Sequence, residues 1–181
     1  TQSIAIGPCA GEDTQGQASV AMGLMAGNSS QGNDAIAIGN QAGFQNQVFN
    51  AIAIGQSAGK GQQGEGCIAI GSHAGFENQQ PGAVAIGINA GKDTQGDNSV
   101  GIGTDAGVNG IGLSGICIGD RAGGGTVRSL DRAIAIGKEA GFTNQKESAI
   151  AIGSGAGGDR LCMCVRACVR ACVCVCVHTR L

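Results

Sequence analysis

Branched apolar residues recur along this chain in pairs separated by one small residue, and each pair ends on a glycine. That glycine stands at Gly7, Gly23, Gly39, Gly55, Gly71, Gly87, Gly103, Gly119, Gly137 and Gly153, so the unit repeats ten times at a step of 16 residues, with one step of 18. Three residues before it comes Ile or Val in every copy, and one before it Ile in every copy except Met22. The positions between and before them hold Ala, Ser, Cys or Gly. Alternation of period two is the signature of a strand with two branched side chains on one face and two small ones on the other. Sixteen residues are too few for a helix pair or a crossover helix, but suffice for one turn of a solenoid built from two short strands. The pattern therefore predicts an all-β protein, a parallel β-roll of ten rungs over residues 1–158, with successive rungs ~4.8 Å apart and a rod roughly 45 Å long. Residues 159–181 stand apart from it as a low-complexity tail.

Each column of the unit receives a role. The branched residues, represented by Ile36, Ile38, Ile52, Ile54, Ile68, Ile70, Ile134 and Ile136, are expected to stack as the core ladder. Ala and Gly follow three and four residues after the repeat glycine without exception, from Ala10–Gly11 to Ala156–Gly157. Gly39, Gly43, Gly55, Gly59, Gly71 and Gly75 thus mark turns that take positive φ. A glutamine recurs as Gln15, Gln31, Gln47, Gln63, Gln79, Gln95 and Gln145, placed to stack as an amide ladder in a second strand. The Ala/Ser columns read as a flat outer face through which backbones approach closely in a homotrimer.

Composition narrows the function classes. The 181 residues include 35 Gly and four Phe but neither Trp nor Tyr, which suits a thin rod better than a wide globular core. Net charge is −2, and residues 1–158 are acidic without aromatic stacking platforms, which argues against nucleic-acid binding. No apolar run is long enough to span a membrane. Starting at Thr1 without a leader, the chain reads as a fragment or mature piece. From Leu161 the repeat gives way to LCMCVRACVRACVCVCVHTRL, with cysteines at 162, 164, 168, 172, 174 and 176. Cys-x-Cys spacing invites a soft-metal reading, but these dipeptides are also what a translated TG/CG/CA tract yields, and the low-complexity reading is adopted. No cofactor and no metal site is expected. Cys9, Cys67 and Cys117 fall singly in different columns, as small-residue substitutions do.

Motifs of catalytic appearance do not hold together. Gly55-Gln-Ser57-Ala-Gly59 matches a nucleophile elbow, and its column continues as His73, Asn89 and Asp105, but elsewhere that column holds Cys9, Met25, Gln41, Arg121 and Glu139. Gly153-x-Gly155-x-x-Gly158 lacks the helix and the acidic residue of a dinucleotide site. Aspartate is too scattered for a calcium-binding roll, and Thr14, Thr94 and Thr126 share their column with Ser, Asn, Gln and Gly, unlike an ice-binding array. The chain reads as a non-enzyme. Regularity fails between Gly103 and Gly137, where two residues are inserted within 124–132 and Arg121, Arg128 and Arg132 make a basic spot that, with Asp131, is the candidate place for a partner.

The units AIAIGNQAG (35–43), AIAIGQSAG (51–59) and AIAIGKEAG (133–141) resemble the head repeats of YadA-like trimeric autotransporter adhesins and similar units of phage and giant-virus fibre proteins. The resemblance implies a left-handed roll, three chains side by side, and work at a cell or virion surface as an adhesin or fibre head that meets a receptor or matrix component. The unit is 16 residues long where the family's is usually shorter, and these residues hold neither a heptad stalk nor a barrel anchor pattern. The alternatives are a spacer solenoid without a ligand, or a gene-model fragment of one.

Overall fold

A computed structural model describes residues 2–125, 131–143 and 145–157, together with the backbone of two tail strands. It contains strands and turns and no helix among the described residues. One strand per repeat builds the long sheet: β1 (Ile4–Ile6), β2 (Val20–Met22), β4 (Ile36–Ile38), β6 (Ile52–Ile54), β8 (Ile68–Ile70), β10 (Val84–Ile86), β11 (Val100–Ile102), β12 (Ile116–Ile118), β13 (Ile134–Ile136) and β14 (Ile150–Ile152). All ten are parallel, and each residue pairs with its counterpart one repeat on, as Ile36 with Ile52. The 18-residue step keeps this register, Ile116 pairing with Ile134. A second, parallel sheet holds β3 (Ser29–Gln31), β5 (Gln45–Gln47), β7 (Gln62–Gln63) and β9 (Asn78–Gln79), and single bridges extend it to Gln15, Gln95 and Ile111. The chain is thus a β-solenoid.

The tail contributes β15 (Cys164–Arg166) and β16 (Cys172–Val175), which pair antiparallel. β16 also lies parallel to β14, with Val173, Cys174 and Val175 opposite Ile150, Ala151 and Ile152. Val-Cys-Val is thereby in the register of Ile116-Cys117-Ile118 three strands earlier, a branched-small-branched triplet. The remaining tail cysteines lie outside the described residues.

The interior differs from the one expected. Ala21, Ala37, Ala53, Ala69 and Ala85 are fully buried, and so are Ala26, Ala42, Ala58, Ala74 and Ala90 from the opposite wall. The branched columns point outward: Ile36, Ile52, Ile54, Ile68, Ile70, Ile134 and Ile136 are half-buried and Ile38 is exposed. The core ladder is therefore alanine, and the Ile columns form an outer face. The Ala column, expected as the assembly face, is closed inside the roll.

The reason is space. A carbon placed on Gly43 would lie 3.2 Å from the Ala37 Cβ and 2.7 Å from Gln47 Oε1, so the turn backbone already touches the alanine. At the positions of Ala37 and its counterparts a rung this short brings its walls too close for branched side chains, and the small columns are what permit that approach. The repeat glycine answers a second closeness: at Gly39, φ is 129° and a Cβ would meet the Gly55 carbonyl oxygen at 2.6 Å.

Turns are stitched from rung to rung like the strands. Gln41 and Asn50 sit in the left-handed region at φ 55° and 59°, and their counterparts in other rungs do the same. That conformation aims each N–H at the preceding rung: Gln41 donates to Leu24 O at 2.8 Å, Asn50 to Asn33 O at 3.0 Å, and Ser57 to Asn40 O at 2.8 Å. Left-handed backbone at an ordinary residue costs ~1–3 kcal/mol, and this hydrogen bond offsets it.

Candidate functional site

The glutamine column runs inside the roll. Gln31, Gln47, Gln63, Gln79 and Gln95 are buried, and each Nε2 crosses the interior to a carbonyl of the long sheet, as Gln47 to Ile36 O at 2.8 Å and Gln63 to Ile52 O at 2.9 Å. Amide-to-amide bonds link Gln31 to Gln47 (3.2 Å), Gln63 to Gln79 (3.1 Å) and Gln79 to Gln95 (2.8 Å). Gln15 and Gln145 reach Ile4 O and Ile134 O in the same way. These side chains hold the two walls together through their amide N–H groups, while Oε1 of Gln31, Gln63 and Gln145 is buried with no hydrogen-bond partner among the described residues.

Among the described residues one rung replaces the amide by a hydrocarbon. Ile111 takes the glutamine position and is fully buried, while Gly101 and Gly115 take positions where other rungs have Ala, Ser or Cys. A Cβ at either glycine would meet Ile111 at 2.9 Å. The bulk gained at one column is surrendered at two others.

The turn glycines Gly39, Gly55 and Gly71 have φ of 126–129°, and Gly43, Gly59 and Gly75 of 51–53°, as turns of this shape require. Ser57 is buried, and His73 directs Nδ1 to Ser72 Oγ at 2.9 Å while packing on Phe76. Asp105 accepts from Asn89 Nδ2 at 2.9 Å. The structure brings no relay together from Ser57, His73 and Asp105.

The basic spot is engaged within the fold. Arg121 pairs with Glu139, its neighbour one rung on, and Arg132 pairs with Glu147. Asp131 accepts from the Leu113 N–H at 2.9 Å. Arg128 lies outside the described residues. Two arginines of the expected partner site thus serve as inter-rung clasps.

Two outward surfaces remain. The long sheet shows its branched columns, with Ile4 51%, Ile6 56%, Met22 37% and Ile152 53% exposed. Leu24 and Ile88, next to the repeat glycine, widen this apolar band. The short sheet shows a different chemistry. Its outward column is Thr14, Ser30, Asn46, Gln62, Asn78 and Thr94, flanked by two open notches where a glycine lies beside a phenylalanine. One, of about 440 Å³, is lined by Gly32, Phe49, Asn33 and Val48; the other, of about 400 Å³, by Gly61, Phe76, Lys60, Gln45 and Glu77. Lys60 Nζ lies 5.5 Å from the Phe76 ring centre and 6.0 Å from that of Phe44. Sequence reading used the polar column only to set ice binding aside, and the signal it missed is that every residue there is uncharged.

Cys67 occupies the small column before β8, and its Sγ lies 3.0 Å from Gln80 O. Burial pushes its thiol above the ordinary range. Cys9 is exposed, and a hydrogen bond to Glu12 with that carboxylate's charge raises it too. Among the described residues no cluster of three His, Cys, Asp or Glu is placed to hold a metal, and no helix is long and apolar enough to cross a membrane. No protein-family model matches the chain, and comparison with curated proteins and with solved structures finds no match to either.

Proposed function

We propose that this chain is a non-enzymatic surface module, an adhesin or fibre head, that works as a homotrimer joined through the apolar outer face of its long sheet. The observation that carries the reading is the double column of Ile and Val left outside a core of alanine. A soluble rod gains nothing from a continuous apolar band against water, whereas covering it removes several hundred Å² from solvent. The two columns, one on each side of the buried Ala, suit two neighbours in a closed ring of three parallel rods. The count of three, the surface location and a receptor or matrix component as partner rest on the resemblance of the AIAIGxxAG units.

Sedimentation equilibrium of the reduced full chain tests this. The expected species has three times the 17.7 kDa chain mass, and Ile68→Asn with Ile70→Asn converts it to monomer. Wild-type chain that stays monomeric across the accessible concentrations sinks the assembly and leaves a spacer as the better account.

A further inference from the structure

We infer that the outward face of the short sheet is a binding track for a neutral polysaccharide, running along Thr14, Ser30, Asn46, Gln62, Asn78 and Thr94 with aromatic notches at Phe49 and Phe76. This deepens the surface-module reading by naming a ligand class, and it does not depend on the trimer.

Three observations carry it. Other columns use their polar side chains to tie rungs together: Asn28 bonds Glu12, Ser29 bonds Asp13, Asn89 bonds Asp105 and Arg121 pairs with Glu139. In the track, by contrast, none of the six side chains makes a hydrogen bond among the described residues, although each carries a hydroxyl or amide. Six adjacent rungs thus present donors and acceptors that the fold does not use, spaced ~4.8 Å apart.

Next, each notch sets an apolar ring wall beside those groups. Phe49 is 44% exposed next to Gly32, where a side chain would collide with the Phe49 backbone nitrogen at 2.5 Å. The C–H face of a sugar ring packs on such a wall while its hydroxyls meet amides and hydroxyls alongside.

Charge and backbone then select the class. The track is uncharged, and the ammonium of Lys60 is matched by the carboxylate of Glu77 in the same notch, so nothing favours a polyanion. An extended peptide needs free main-chain groups to pair with. Here the main chain is spent between rungs, as Gln45 N–H to Lys60 O, Gly61 N–H to Phe76 O and Glu77 N–H to Lys92 O. A ligand dense in its own hydroxyls is what this surface fits.

Affinity electrophoresis of the full chain through gels containing dextran, mannan or galactan, with a printed array of neutral glycans, provides the test. Retardation by at least one is expected. Phe49→Ala, and Asn46→Ala with Gln62→Ala, should each weaken it about tenfold with thermal midpoints unchanged, and Cys9→Ser, on an exposed position outside both surfaces, should leave it intact. No retention on any neutral glycan, retention equal in the track variants, or retention abolished by about 0.5 M salt overturns the inference, the last in favour of a charged ligand. Sedimentation of the same samples separates the two readings. Trimers that ignore glycans overturn this inference alone, and monomers that bind them overturn the assembly alone.

Discussion

Exchanging bulk between the two faces of one strand tests the architecture most directly. Ala37 is fully buried, and a carbon on Gly43 would stand only 3.2 Å from its Cβ, so the two methyl groups added by Ala37→Val have no free volume to enter. Overpacking of this kind costs ~1–3 kcal/mol, and the upper end is expected because Ile36 N–H to Ala51 O (2.9 Å) and Gly39 N–H to Met22 O (2.7 Å) fix the strand on both sides. Ile38, one residue on, is 36% exposed, and Ile38→Asn at high dilution forfeits only its contacts with the same column, about 1 kcal/mol. Urea titration at two protein concentrations is the assay. With a slope of ~2–3 kcal/mol per molar, Ala37→Val should lower the midpoint by about 1 M at both concentrations. Ile38→Asn should lower it slightly when dilute and more when concentrated, because assembly stabilises only the parent. A dilute Ile38→Asn chain less stable than Ala37→Val would refute the assignment of the alanine face to the interior.

Two further expectations follow from particular side chains. Gly101→Ala should destabilise the chain by ~1–3 kcal/mol against Ile111, and adding Ile111→Gln should recover much of that loss, giving a non-zero coupling in a double-mutant cycle; strict additivity would show that the two columns do not compensate. Because burial raises the Cys67 thiol in the folded chain, its contribution is fully present below the unfolded thiol pKa and is lost as pH rises from about 8.5 through the folded value. The thermal midpoint should therefore fall over that window, and fall less in Cys67→Ala, which only restores the alanine of neighbouring rungs; identical pH profiles would refute it.

The sequence carried the register almost completely, because each column is chosen by its own copies above and below. Ile52 beneath Ile36, the glycine turns and the inward glutamines all follow from position in the unit. Which face is inside did not follow. Period two states that Ile36 and Ile38 share a side and Ala37 takes the other, but not which side is enclosed, and hydrophobicity alone favours the larger residues. The deciding quantity is the width of a 16-residue loop, and its trace in the sequence is strictness. Ala42 and Ala58 are small for the same reason as Ala37 and Ala53, since opposed walls in contact tolerate nothing else. The ion pairs of the basic spot were missed for a related reason. Arg121 and Glu139 occupy one column in successive rungs, so their pairing is legible once columns are read vertically rather than along the chain.

The inserted step between Gly119 and Gly137 shows how this architecture treats error. Two extra residues enter the chain, yet Ile134 meets Ile116 as squarely as Ile52 meets Ile36, and Gly137 donates to Ile118 O at 2.7 Å just as Gly55 donates to Ile38 O at 2.8 Å. A register shift that would propagate through a hairpin sheet is absorbed within one turn, because every rung takes its alignment afresh from the one below. Length is therefore a locally editable property of the rod. Whole units can be gained, lost or padded at their corners by ordinary slippage in the coding sequence, while the outer columns vary rung by rung without disturbing the alanines beneath.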